Sequence, residues 1–110
     1  MAYLETYEKL QKNGLNLNPD DVERICKKYR IKELSVFGSA LRDDFREESD
    51  VDLLILFINN FGHTLLDIVD IKDEFKLLLG KEIDLAFKDR LKYPVRRENI
   101  LSTSEILYAC

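Results

Sequence analysis

A nearly uninterrupted apolar run at residues 50–58, "DVDLLILFI", constrains the fold more than any other part of the chain. Such a run, rich in branched side chains, is typical of a strand that is buried on both faces. A strand of this kind needs helices against its sheet, so the run predicts an α/β (α+β) layer protein. The chain has 110 residues, enough for one hydrophobic core, and we expect a single domain over residues 1–110.

The segments on either side of this run are predicted to complete the layers. Helices are predicted at 3–12, from Asn18 and Pro19 onward, at 65–79 and from Pro94 onward. Further strands are predicted at "KELSVFG", "KEIDLAF" and "SEILYA". Too few residues separate the first two strands for a crossover helix, so we expect that pair to be antiparallel. The prediction is a mixed sheet of about four strands flanked by helices.

Composition and charge exclude several classes of protein. The formal net charge of -4 argues against broad nucleic-acid binding, which needs a basic surface, so we expect no direct nucleic-acid binding. The chain lacks both a secretory signal and an apolar run of about 18 residues, so we expect a cytoplasmic protein with no membrane contact. Cys26 and Cys110 stand far apart with a single histidine in the chain, which suggests neither a zinc site nor a disulfide framework.

Two carboxylates stand at the entrance of the buried run. Asp50 and Asp52 are two residues apart, so an extended chain points both side chains the same way, roughly 6 to 7 Å apart. At an effective dielectric of about 20 these like charges repel by about 2 to 3 kcal/mol. Either a cation lies between them, such as Mg²⁺, or the pair is a solvated strand entrance.

A third acid, Asp84, interrupts the short strand at 81–87. Taken by itself, it is most simply placed on a solvated face beside Glu82. If this strand neighbours the one at 50–58, however, three carboxylates converge. That arrangement can hold divalent ions for a displacement at phosphorus.

Gly38 and Ser39 stand where the strand "KELSVFG" gives way to a turn. Free backbone N–H groups and a hydroxyl at such a turn can cradle a phosphate, and a glycine lets the backbone approach a ligand closely. The alternative is an ordinary turn that ends a strand. The Gly-Ser pair alone does not decide between them.

The spacing of these residues carries a resemblance. Gly38-Ser39, ten intervening residues, Asp50-Val51-Asp52 and a later strand with Asp84 together resemble the signature of the DNA polymerase β-like nucleotidyltransferase superfamily. More closely, "FGSALRDDFREESDVDLLILF" resembles the MNT-type minimal nucleotidyltransferases, small prokaryotic proteins that consist of the catalytic domain alone. The resemblance implies the nucleotidyltransferase fold for nearly the whole chain.

The resemblance also implies roles for individual residues. Gly38 and Ser39 would hold the β- and γ-phosphates of ATP. Asp50 and Asp52 would coordinate Mg²⁺, and Asp84 would complete the metal site and assist deprotonation of the acceptor. Arg42, three residues after Ser39, would meet phosphate oxygens from the same side of a helical turn. The family often has glycine after this arginine, whereas this chain has Asp43.

The function that the resemblance implies is transfer of AMP from ATP to a hydroxyl of a partner. In MNT proteins that partner is a HEPN-domain ribonuclease toxin, the acceptor is a tyrosine, and the MNT protein is the antitoxin. Two alternatives stay open: an antitoxin that neutralises its partner by binding alone, and a nucleotidyltransferase acting on an antibiotic or a nucleic-acid end. His63 is interpreted as a loop residue, and the basic segment 88–97 as a solvated face that could also steer ATP or an acidic partner.

Overall fold

The computed structural model describes residues 3–58 and 64–110, and His63 lies outside these ranges. Four helices and four strands follow the predicted order. The helices are α1 (Leu4–Lys12), α2 (Pro19–Lys28), α3 (Leu65–Leu79) and α4 (Pro94–Thr103). The strands are β1 (Ile31–Phe37), β2 (Val51–Phe57), β3 (Ile83–Phe87) and β4 (Glu105–Ala109), and short 3-10 turns cover Gly38–Leu41 and Lys88–Arg90.

The four strands form one mixed sheet in the order β3-β2-β1-β4. The β1–β2 and β1–β4 pairs are antiparallel, and the β2–β3 pair is parallel. The predicted mixed sheet and the antiparallel pairing of the first two strands are therefore confirmed. The apolar run that opened the prediction lies at the centre of the sheet, as β2.

Strand β2 is fully buried on one face and partly buried on the other. Val51, Leu53 and Ile55 alternate along the first face, are at most 1% exposed and join a core cluster with side chains of α1, α2 and α3. On the opposite face Leu54 is 3% exposed, but Asp52 is only partly buried. Burial on both faces, which the apolar run predicts, is therefore complete for one face only, and Asp52 lies on the less covered face.

Helix ends follow local sequence signals. The side chain of Asn18 accepts a hydrogen bond from the backbone N–H of Asp20 at 2.8 Å, which caps α2. Thr64 and Asp67 form a reciprocal capping box at the start of α3. Gly80 ends α3 in the left-handed conformation with a φ of 66°.

Helix α3 departs from the predicted burial. The apolar side chains of its sequence lie on one broad helical face, which is typical of a helix that packs inward, but Leu65, Leu66 and Val69 are 81%, 68% and 51% exposed. Ile71 and Phe75 are fully buried instead. Apolar character in the first turns of α3 therefore did not predict burial. Within the described ranges, none of the helices combines the length and apolar character needed to span a membrane.

Candidate active site

Strand register brings Asp52 and Asp84 side by side. Asp52 pairs with Phe37 at the end of β1 on one side and with Asp84 of β3 on the other. Paired residues in register project to the same face of a sheet, so both carboxylates lie on one face near the strand ends. The predicted convergence of acids required the strand of Asp84 to lie beside the strand of Asp52, and β2 and β3 are indeed neighbours. Asp50 directly precedes β2 and is exposed.

Gly38 packs directly against the carboxylate of Asp52. Its φ is +77°, a backbone conformation that residues with a side chain rarely adopt. A Cβ at this position would overlap Oδ2 of Asp52 and would lie 3.4 Å from Cγ. Only glycine lets the turn after β1 approach the acid this closely, so the turn and the acid form one site.

The turn that carries Ser39 is shorter than predicted. We expected one or two helical turns over 39–45, but the 3-10 turn ends at Leu41, and Arg42 has extended backbone with φ -109° and ψ 161°. Arg42 therefore does not share a helical side with Ser39, which corrects the expected placement. Its exposed guanidinium donates from Nε to Oδ1 of Asp44 at 3.0 Å.

Asn13, which the sequence indicated only as a helix-ending residue, holds this turn. Its side-chain Nδ2 donates to the carbonyl oxygens of Ala40 at 2.8 Å and of Arg42 at 3.0 Å. These two bonds satisfy carbonyls that a longer helix would have used internally, which accounts for the early end of the turn. The sequence carries no signal for this contact, since Asn-Gly after a helix already has a local explanation and the partners lie 27 and 29 residues away.

Asp52 lies in a partly buried, acidic environment. Its pKa is raised, first by loss of hydration and then by the charges of Asp84 and Asp50, and the charges of Arg42 and Arg96 offset only part of this rise. Among the described residues, no hydrogen bond or salt bridge reaches its carboxylate. Repulsion between like charges without a direct donor is the pattern of a site that binds a cation or a cationic complex.

The chemistry of this set of oxygens fits Mg²⁺, although the side chains do not form a closed cage. Within residues 3–58 and 64–110, no group of three or more His, Cys, Asp or Glu residues is spaced to hold a metal ion. Catalytic Mg²⁺ commonly uses one or two carboxylates and takes its other ligands from water and substrate phosphates. The neighbouring carboxylates of Asp52 and Asp84 meet that requirement, because two carboxylates leave the remaining coordination positions to water and phosphate oxygens.

Comparison with known proteins supplies the family. Residues 20–107 match the family described as "Nucleotidyltransferase domain". The chain belongs to this family. The match covers every residue of the predicted signature, from Gly38 to Asp84, and the predicted resemblance is confirmed.

Several relatives are similar to this nucleotidyltransferase over most of its length. A candidate protein adenylyltransferase of Methanocaldococcus jannaschii is 34% identical over 90 residues, which are 78% of this chain and 94% of that protein. Protein adenylyltransferase MntA of Thermococcus cleftensis is 35% identical over 70 residues, which are 64% of this chain and 69% of that protein.

Solved structures share the fold. A candidate minimal nucleotidyltransferase superposes with a TM-score of 0.64 at 35% identity, covering 78% of this chain and 85% of that one. A toxin-antitoxin structure with AMP-PNP superposes with a TM-score of 0.67 at 14% identity, covering 86% and 75%. The predicted nucleotidyltransferase fold is thus confirmed.

Proposed function

We propose that this nucleotidyltransferase transfers AMP from ATP to a hydroxyl, that of a tyrosine, on a HEPN-domain toxin and so acts as its antitoxin. The observation that carries the proposal is the register that sets Asp84 beside Asp52, with Gly38 packed on the same carboxylate. The names of the adenylyltransferase relatives support the reaction. A neighbour of the same fold is described as a tri-AMPylated HEPN toxin in complex with an MNT antitoxin, which supports the partner.

The turn after β1 and the acids at the ends of β2 and β3 would have different roles in the reaction. Gly38 and Ser39 would receive the β- and γ-phosphates, while Asp50, Asp52 and Asp84 would hold Mg²⁺. Bound there, the ion would neutralise charge on the phosphates and favour the ionised acceptor hydroxyl. Arg42 would reach the phosphates after leaving Asp44, a small rearrangement because that ion pair is exposed.

Bond changes at phosphorus follow from this arrangement. The acceptor oxygen forms a bond to the α-phosphorus of ATP, the bond from that phosphorus to the bridging oxygen breaks, and pyrophosphate leaves. The hydroxyl proton passes to Asp84, whose exposed carboxylate is open to the acceptor. Positioning and electrostatic stabilisation supply most of the catalysis in such transfers.

A labelling experiment tests the transfer. The chain is mixed with Mg²⁺ and its partner toxin, found first as a short helical protein with an R-x-x-x-x-H motif encoded next to this chain. ATP labelled at the α-phosphate is expected to label the partner, and ATP labelled at the γ-phosphate is not, because that phosphate leaves with pyrophosphate. Label from the γ-phosphate would indicate a kinase and would contradict the proposal.

The same experiment separates catalysis from binding. Loss of toxin ribonuclease activity is expected to follow the gain of label in time. A partner that is fully inhibited while taking up no label would favour the alternative, an antitoxin that neutralises by complex formation. Removal of Mg²⁺ with a chelator is the matched control, since it should stop labelling but leave simple complex formation intact.

A further inference from the structure

A small basic pocket lies where the chain enters α4. It has a volume of about 150 Å³ and is lined by Arg90, Leu91, Lys92, Tyr93, Arg96 and Arg97. We call this set the α4 basic pocket. Residues 88–97 contain five cationic side chains and one acidic one, in a chain whose net charge is -4. The pocket is therefore a local positive site on an acidic protein.

The cations of the pocket form no ion pairs with the acids of the described part of the chain. In the described ranges, none of Arg90, Lys92, Arg96 or Arg97 forms a salt bridge. Lys88, just outside the pocket, is paired with Glu33 at 3.2 Å. Four exposed, unpaired cations around one cavity repel one another, and an anionic ligand would relieve that repulsion.

One residue of the pocket lies in the neighbourhood of the candidate active site. The charge of Arg96 acts on the carboxylate of Asp52. A ligand held by Arg96 would therefore lie near the candidate active site. This proximity indicates a role in presenting a substrate, beyond general solubility.

The exposed side chains at the pocket favour a protein ligand over a bare phosphate. Tyr93, which lines the pocket, and Val95, two residues further along the chain, are 73% and 76% exposed. Arginine and tyrosine are enriched where proteins bind proteins, and an aliphatic side chain adds contact area that a phosphate group cannot use. The acidic balance of the whole chain argues against a nucleic acid at the same place.

We propose that the α4 basic pocket binds an acidic segment of the protein acceptor and thereby holds the acceptor near the candidate active site. The proposal rests on the proposed function, because it names how the acceptor is recognised. Charge complementarity of this kind sets partner choice and association rate.

A peptide-binding measurement, in which no adenylyl transfer can occur, tests this proposal. The probe is a fluorescent peptide of four glutamates followed by tyrosine, compared with one of four glutamines followed by tyrosine, in low salt without ATP or Mg²⁺. Tighter binding of the glutamate peptide is expected. The double variant Arg96→Glu with Arg97→Glu should weaken that binding about tenfold or more.

A matched variant controls for total charge. Lys32→Glu with Lys72→Glu makes the same change in net charge at exposed positions outside the pocket, and it should change peptide affinity less than about twofold. The milder pair Arg96→Gln with Arg97→Gln, checked by thermal melting, guards against misfolding. The pocket variants should lose much more affinity for the glutamate peptide than for ATP, because the pocket residues are proposed to contact the acceptor and not the nucleotide.

Four outcomes would overturn the proposal. They are equal affinity for the two peptides, equal weakening by the control variant, a loss of ATP affinity in the pocket variants as large as their loss of peptide affinity, and tighter binding of single-stranded RNA than of the acidic peptide through the same arginines. Because no step requires adenylyl transfer, peptide binding that is specific to the pocket supports the proposal even if the labelling experiment fails. Successful labelling without such binding would overturn this proposal alone.

Discussion

Glu74 and Asp52 are both carboxylates against the core, and their surroundings are opposite. Glu74 of α3 accepts hydrogen bonds from Tyr29 at 2.5 Å, Lys28 at 3.2 Å and Arg24 at 3.3 Å. Its pKa is lowered, first by the bond from Tyr29, because all three donors favour the charged form. Asp52 has other acids for neighbours, and its pKa is raised.

The difference separates an acid that supports the fold from one that is available for chemistry. Glu74 joins α3 to the end of α2, and its bonds are complete without any ligand. Asp52 has no such donors among the described residues, and a cation beside it would favour its charged form. A carboxylate left unsatisfied beside other carboxylates is therefore the stronger indication of a functional site.

The largest expected effect is at Asp52 itself. Asp52→Asn keeps the shape of the side chain but removes its charge, so labelling of the partner should fall at least about a hundredfold. Asp43→Asn, at an exposed acid in the nearby loop, should leave the labelling rate within about twofold. Undiminished transfer by Asp52→Asn would show that the charge of Asp52 is not needed for the reaction.

Alanine substitutions at two glycines test the contact between Gly38 and Asp52. Gly14 and Gly38 have φ values of +78° and +77°, but nothing lies within 4 Å of a Cβ at Gly14. Gly14→Ala and Gly38→Ala therefore share the cost of left-handed backbone, about 1 to 2 kcal/mol, and only Gly38→Ala also displaces Asp52. We expect Gly38→Ala alone to lower the labelling rate about tenfold or more. Equal activity of the two variants would show that the contact is incidental.

Substitution of Glu74 should lower stability and leave activity unchanged, the opposite of what is expected for Asp52. Glu74→Gln weakens its charged hydrogen bonds and should lower the free energy of unfolding by about 1 to 2 kcal/mol, measured by urea denaturation, with the labelling rate unchanged. Because the pKa of Glu74 is lowered in the fold, its stabilisation is present above the usual carboxyl range and is lost as the pH falls through the lowered pKa. The difference between wild type and Glu74→Gln should shrink in acid accordingly. A large loss of labelling in a folded Glu74→Gln variant would contradict the assignment.

Asn13 tests whether the turn beside Asp52 needs a support from outside. Asn13→Asp has nearly the same shape but cannot donate to the carbonyls of Ala40 and Arg42, so ATP affinity should weaken by about 1 kcal/mol, or about fivefold. Asn16→Asp, an exposed change of the same kind, is the control. Isothermal titration with ATP in the presence of Mg²⁺ gives the affinity. Equal affinities for the two variants would leave Asn13 a role in the fold only.

The smallest effect is a gain of stability at Asp52. A raised pKa means that ionised Asp52 destabilises the fold, and this penalty is absent below the usual carboxyl pKa and complete above the raised one. Asp52→Asn should therefore raise the free energy of unfolding at pH 7 by about 0.5 kcal/mol or less, without metal or nucleotide, and the gain should vanish in acid. A loss of stability at pH 7 would show that Asp52 serves the fold as Glu74 does.

Much of the fold could be predicted because its signals are local. Asn18 with Pro19 starts a helix through its own side chain and the next few residues, and Gly80 ends one for the same reason. The strand β2 was predictable because six apolar residues in succession, Leu53 to Ile58, are typical of a buried strand. The exposed residues Leu65 and Leu66 were predicted wrongly, since burial there depends on which element lies below the helix.

The sequence by itself determined the chemistry of the candidate site: a glycine and a hydroxyl after one strand, and acids at the entrance of the next strand and within a later one. Only the tertiary structure decided that β2 and β3 are parallel neighbours in the register that sets Asp84 beside Asp52. It also decided that Gly38 touches the same carboxylate and that Asn13 holds the turn. These contacts join residues that are far apart along the chain, and strand register and packing, which no local pattern contains, bring them together.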